Sequence, residues 1–126
     1  MNVVKEKGIC TSVPEVCTQK DDSGKQVLIC RYVLAVPRAR GTGSDYLACT
    51  TFGTRARYAR DHIAIGTEVY VEGHLHTELQ RKPEGMTCMV TVTVDYQKII
   101  MIHEKTEKIK IEKAYFPVIQ GKGGTL

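Results

Sequence analysis

The chain has 126 residues, of which 42% are hydrophobic and 25% charged, and a net charge of +4. This length fits one domain, and the composition is that of a folded chain, which excludes a disordered polymer and a disulfide-stapled miniature. No apolar run approaches membrane-spanning length, and the five cysteines (Cys10, Cys17, Cys30, Cys49, Cys88) are odd in number with no CxxC spacing, against a disulfide framework or a zinc site.

The cysteines read as reduced thiols, mostly small buried apolar groups. Lys5, Glu6 and Lys7 interrupt the stretch where a secretory signal needs an apolar run, so a cytoplasmic location is expected. The stretch around Val3-Val4 and Ile9 is assigned as a strand chiefly from context, because those charges break its pattern. Asp21-Asp22-Ser23-Gly24 carries turn chemistry, and Val27 to Val36, apolar except for Arg31, reads as a central strand. Asp45 to Gly53 alternates, so Tyr46, Ala48, Thr50 and Phe52 share one face.

The period then changes. Ala56, Ala59 and Ile63 predict a short helix over Thr54 to Ile63, with Arg55, Arg57 and Arg60 on its other side and Gly66 turning the chain after it. Alternation returns over Thr67 to Thr77, where Gly73 marks a bend or bulge. A polar turn, Gln80 to Gly85, leads to a last alternating run from Met86 to Tyr96, which pairs as a hairpin. Three strands, a helix and two strands make an all-β chain: a five-stranded Greek-key barrel of the OB type, with the helix between strands 3 and 4. Residues 1–102 form this domain, and 103–126 form a charged, Gly-ended extension in which Ile109 and Ile111 allow either an extra strand or a solvated segment.

Six arginines (Arg31, Arg38, Arg40, Arg55, Arg57, Arg60) stand against one acid, Asp45, between positions 31 and 60, a cluster suited to a polyanion. Arg38 and Arg40 precede the Gly41-Thr42-Gly43 loop, and Arg81 and Lys82 sit at a hairpin tip. His74 and His76 share a strand face at a spacing that can chelate a metal, but no third ligand is in view, so no metal site is expected. No nucleophile–base arrangement, paired carboxylates or nucleotide fingerprint stands out, which points away from an enzyme and from any cofactor.

The blocks Val33-Leu34-Ala35-Val36, Asp45-Tyr46 through Thr51-Phe52-Gly53, and Gly66 through Leu75 resemble bacterial single-stranded-DNA-binding proteins over about residues 1–102, in residues and spacing. The resemblance implies sequence-tolerant binding of single-stranded DNA in replication, recombination or repair, by a homo-oligomer, tetramer or dimer. It implies base stacking on Phe52 and on Tyr46, where the family often has tryptophan, and a contact at His76, where the family tends to be basic. Arg31, Arg38, Arg40, Arg55, Arg57, Arg81 and Lys82 are expected as further contacts from their charge and their placement on strand, loop, helix start and hairpin tip. Two other stacking positions fall at Arg40 and Gln80, and basic family positions are replaced at Ala48, Thr54, Glu78 and Leu79. With fewer rings to stack on, binding is expected to lean on phosphate contacts and to be weaker and more salt-sensitive.

The extension lacks the family's acidic tip, so the partner docking carried by that tip is not implied. The rival reading is an OB-fold protein-interaction module of a primosome or replication-restart complex, with weak DNA binding.

Overall fold

A computed structural model describes residues 1–102. The order is β1 (Val4–Cys10), β2 (Glu15–Lys20), β3 (Gln26–Pro37), β4 (Ser44–Phe52), α1 (Thr54–His62), β5 (Thr67–Lys82) and β6 (Gly85–Ile102). The extension at 103–126, including the alternative strand around Ile109 and Ile111, lies outside the described residues. Among the described residues, no helix is long and apolar enough to cross a membrane.

Pairing runs β1-β5-β6-β4-β3-β2, and β1 also pairs with β3, so β1, β5, β6, β4 and β3 close into a ring. This is the expected OB-type barrel, with the helix between its third and fourth strands. One segment departs from the expectation: Glu15–Lys20 is a strand. β1 meets β3 at Ile9–Ala35 and Cys10–Leu34, and β2 resumes at Glu15–Arg31, so the two lie end to end along one neighbour. Pro14, which has no N–H to donate, sits in the gap. There the Ser12 hydroxyl accepts the Val33 N–H at 3.0 Å, so a side chain replaces a ladder bond.

The β2–β3 hairpin rests on Asp21, whose Oδ1 accepts the Ser23 N–H, the Ser23 hydroxyl and the Lys25 N–H at 2.9, 2.6 and 2.9 Å. These bonds, the Ser23 hydroxyl first, hold its carboxyl below the ordinary carboxylate range. Gly24 supplies the positive φ of 84° that the turn needs. The β5–β6 hairpin is longer than alternation predicts: pairing continues to Lys82–Gly85, leaving only Pro83 and Glu84 in the turn. Its outer half projects past the core, so Leu75, Leu79, Met86 and Val90 stand exposed on one side.

Inside the barrel, Cys10, Cys30, Tyr32, Leu34, Cys49, Val69, Val71 and Val94 pack together, and α1 adds Ala56 and Ala59, followed by Ile63, as its spacing predicts. Among the described residues Tyr32 is the largest fully buried side chain, and its hydroxyl donates to Gln97 Oε1 at 2.8 Å, so its buried O–H is paired. Gln97 in turn donates to the Arg55 carbonyl at 2.7 Å, tying β6 to the helix start.

Closure needs strands to approach closely at Gly73, where the β5–β6 register shifts. A Cβ there would overlap the Thr93 carbonyl oxygen, a backbone atom with no room to retreat. Gly73→Ala is therefore expected to destabilise the domain by about 1–3 kcal/mol; an unchanged urea midpoint would show that the approach is not tight.

Burial also separates the thiols. It raises the pKa of Cys10 and Cys30 to about 11 and pushes that of Cys49 up as well. Cys88 alone is exposed. One thiol per chain should react at once with an aromatic disulfide at mildly alkaline pH, and the rest only in denaturant; a second fast thiol would contradict the packing.

Candidate nucleic-acid interface

Strand alternation turns the residues between the core positions outward, and the register brings them together. Phe52 lies opposite Ile29, and Thr50 opposite Arg31. Across the parallel β4–β6 pairing Thr50 meets Thr93, while on β5 His74, His76 and Glu78 lie opposite Thr93, Thr91 and Met89. The result is one curved face shared by β2, β3, β4, β6 and β5.

At its centre is a cavity of about 80 Å³ lined by Phe52, Arg31 and His76 together with Gln19, Thr50, Glu78, Met89, Thr91 and Thr93. Phe52 is 39% exposed, enough to offer a ring to a ligand, whereas Arg31 is only 3% exposed and lies deep. Burial lowers the Arg31 pKa, while Cys17, Glu15 and Glu78 act in the opposite sense. A guanidinium stays charged under such pressure, so positive charge is fixed beneath the face. Glu78 brings a carboxylate beside it: one oxygen lies 3.7 Å from His76 Nε2, and the other, Oε2, is buried with no hydrogen-bond partner among the described residues.

Tyr46, 68% exposed, occupies the same face of β4 as Phe52 but six positions away, about 20 Å along the strand. It borders a separate hollow with Val4, Glu6, Val36, Pro37, Ala39, Asp45 and Leu47. The two rings therefore stand at two separate places on β4, beside different hollows.

The arginines that cluster in sequence disperse in space. Arg38 pairs with Asp45 at 3.2 Å in the loop beside Tyr46, and Arg40 stands exposed in that loop. Arg55 donates from Nε to the Asp95 carbonyl at 2.5 Å, Arg57 is exposed on α1, and Arg60 pairs with Asp61 at 2.8 Å. Arg81 and Lys82 end β5 beside the tight turn. His74 bonds Asp95 through Nδ1 at 2.9 Å, apart from His76, and no group of three His, Cys, Asp or Glu able to hold a metal occurs among the described residues.

Sequence reasoning brought Phe52, Arg31 and His76 to this surface but missed the rest of the cavity. Gln19 was missed with its strand, although the β-prone run Glu15-Val16-Cys17-Thr18 ahead of the Asp21 turn carried the signal. Glu78 was visible only as a missing base.

A closed OB-type barrel with an exposed ring, a buried cation and a hydroxyl-lined cavity on one curved face has the architecture of a nucleic-acid-binding barrel. The model of the single-strand binding protein family matches residues 8–102, and the chain belongs to that family. Its domain is that of a single-stranded-DNA-binding protein. A search of curated proteins gives no match.

Base stacking contributes about 1–3 kcal/mol per base, so Phe52→Ala should weaken binding of a short single strand about tenfold or more. Adding Tyr46→Ala should weaken long strands further while short ones lose little more, since the rings are too far apart for one short strand to touch both. Unchanged affinity in the double variant, with the fold intact, would remove stacking from the account.

Proposed function

We propose that the protein holds single-stranded DNA without strong sequence preference and shields it during replication, recombination or repair. The observation that carries this reading is the convergence of Phe52, Arg31 and His76 on one cavity within the family-matched domain. The strand runs along the face from Phe52 toward Tyr46, with Arg38 and Arg40 at one end, Arg55 and Arg57 at the other, and Arg81 and Lys82 on the hairpin that flanks it. The work is sequestration, and it uses no cofactor.

A homo-oligomer, tetramer or dimer, fits the exposed apolar stripe of Leu75, Leu79, Met86 and Val90, which a monomer leaves in water. The same stripe favours the second reading, an interaction module of a primosome or replication-restart complex with weak DNA binding. The two readings differ in strand preference. On the first, single-stranded oligonucleotides shift the protein in a gel far below the concentration at which duplex does.

With few rings to stack on, phosphate contacts supply most of the affinity, which should fall steeply with salt at a logarithmic slope of about −0.7 per phosphate neutralised. A flat salt dependence, or equal retention of duplex and single strand, would favour the interaction module.

A further inference from the structure

The cavity beside Phe52 holds a feature that phosphate attraction does not explain. Glu78 places a carboxylate on the face where negative phosphates pass, and its Oε2 is buried with no hydrogen-bond partner among the described residues. A buried acceptor without a donor is costly. Attraction to Arg31 and the partial exposure of the side chain offset part of that cost but give Oε2 no hydrogen bond among the described residues, so a ligand group that donates to it is favoured over one that does not. Phosphate cannot be that group, because it carries no donor and repels the carboxylate. A base can.

The cavity, at about 80 Å³, admits the edge of one ring, and Phe52 on its rim positions that ring by its face. The bases differ in what they offer there. Cytosine, adenine and guanine each carry an exocyclic amino group that donates outward. Thymine and uracil present carbonyl oxygens at the corresponding edge, and their one ring N–H lies between two of those oxygens. A carboxylate that reaches that N–H also faces like-signed partial charge on both sides. Arg31, Thr91 and Thr93, also lining the cavity, can donate to the ring acceptors that flank an amino group.

The geometry points to Glu78 as a base-reading residue: the cavity is a subsite that selects bases bearing an exocyclic amino group over thymine or uracil. The selection rests on the single-strand reading and adds to it a bias at one position along an otherwise tolerant path. Glu78 acts by hydrogen bonding, so its effect is separate from overall charge and is common to all salt concentrations, where the phosphate contribution cancels between equal-length strands.

The test compares oligo-deoxycytidine with oligo-deoxyuridine of equal length, a pair that differs at the amino position without the thymine methyl. The full chain should bind the cytidine strand at least about fivefold tighter, a single good hydrogen-bonded discrimination. In Glu78→Gln, whose amide can present either a donor or an acceptor, the ratio should fall toward one. Equal binding of the two strands by the wild type overturns the subsite alone and leaves single-strand binding standing. A Glu78→Gln variant that binds both strands more tightly by the same factor also overturns it, because Glu78 would then act only as a repelling charge. Failure to bind either strand in preference to duplex removes the single-strand reading and this one together.

Discussion

Close approach of strands at two glycines is the constraint on which the molecule depends. Gly8 lies so near β3 that a Cβ would stand 2.6 Å from the Ala35 carbonyl oxygen, and Gly73 lies closer still to the Thr93 carbonyl. Gly8 lets β1, paired with β5, also lie against β3, and Gly73 lets β5 lie close against β6; an ordinary side chain at either would hold the ring open. The register shift at Gly73 also fixes which residues of β6 face outward, and through them the cavity. Thr93 and Thr91 line that cavity because the strand bends where it does.

Closure has a second consequence. With Tyr32, Leu34, Val69 and Val71 committed to the interior, the residues between them on the same strands face out, and the register alone decides which of these meet. Arg31 is flanked on its two sides by Tyr32 and Cys30, both fully buried, and so lies on a rigid strand beneath the face. Its charge is held in place by the fold and needs no loop to position it. The exposed loop arginines are different: Arg38 is already engaged by Asp45, so its charge reaches a strand only at the cost of that pair, which is worth little in water. On the proposed reading, the face combines a fixed charge at its centre with adjustable ones at its edges.

Much of the fold was legible because local chemistry decides it. The Asp21 turn, the helix with Ala56 and Ala59 inward, and the common face of Tyr46 and Phe52 all follow from residues close in sequence. Glu15–Lys20 carried a local β-prone signal, but its break from β1 did not, because that break rests on a Ser12 side-chain bond to distant Val33. Nor was the reach of the long hairpin legible, since Glu78 to Lys82, polar apart from Leu79, lie beyond the core and none of them is buried. The arginine cluster read as one patch in sequence and became several stations in space, because a helix and a loop separate its members. The cavity escaped for the same reason: its walls come from strands far apart in sequence whose register no local pattern encodes, and Glu78 stood out in sequence only as an absent positive charge.

The central claim is that single-stranded DNA occupies the curved face of the barrel. Backbone amide chemical shifts, followed by NMR as a short single strand is titrated into isotope-labelled protein, test it most directly. Occupancy of that face predicts the largest shifts at Arg31, Thr50, Phe52, His76, Thr91 and Thr93. Shifts confined to Leu75, Leu79, Met86 and Val90 on the other side of the hairpin, with the curved face silent, would contradict it.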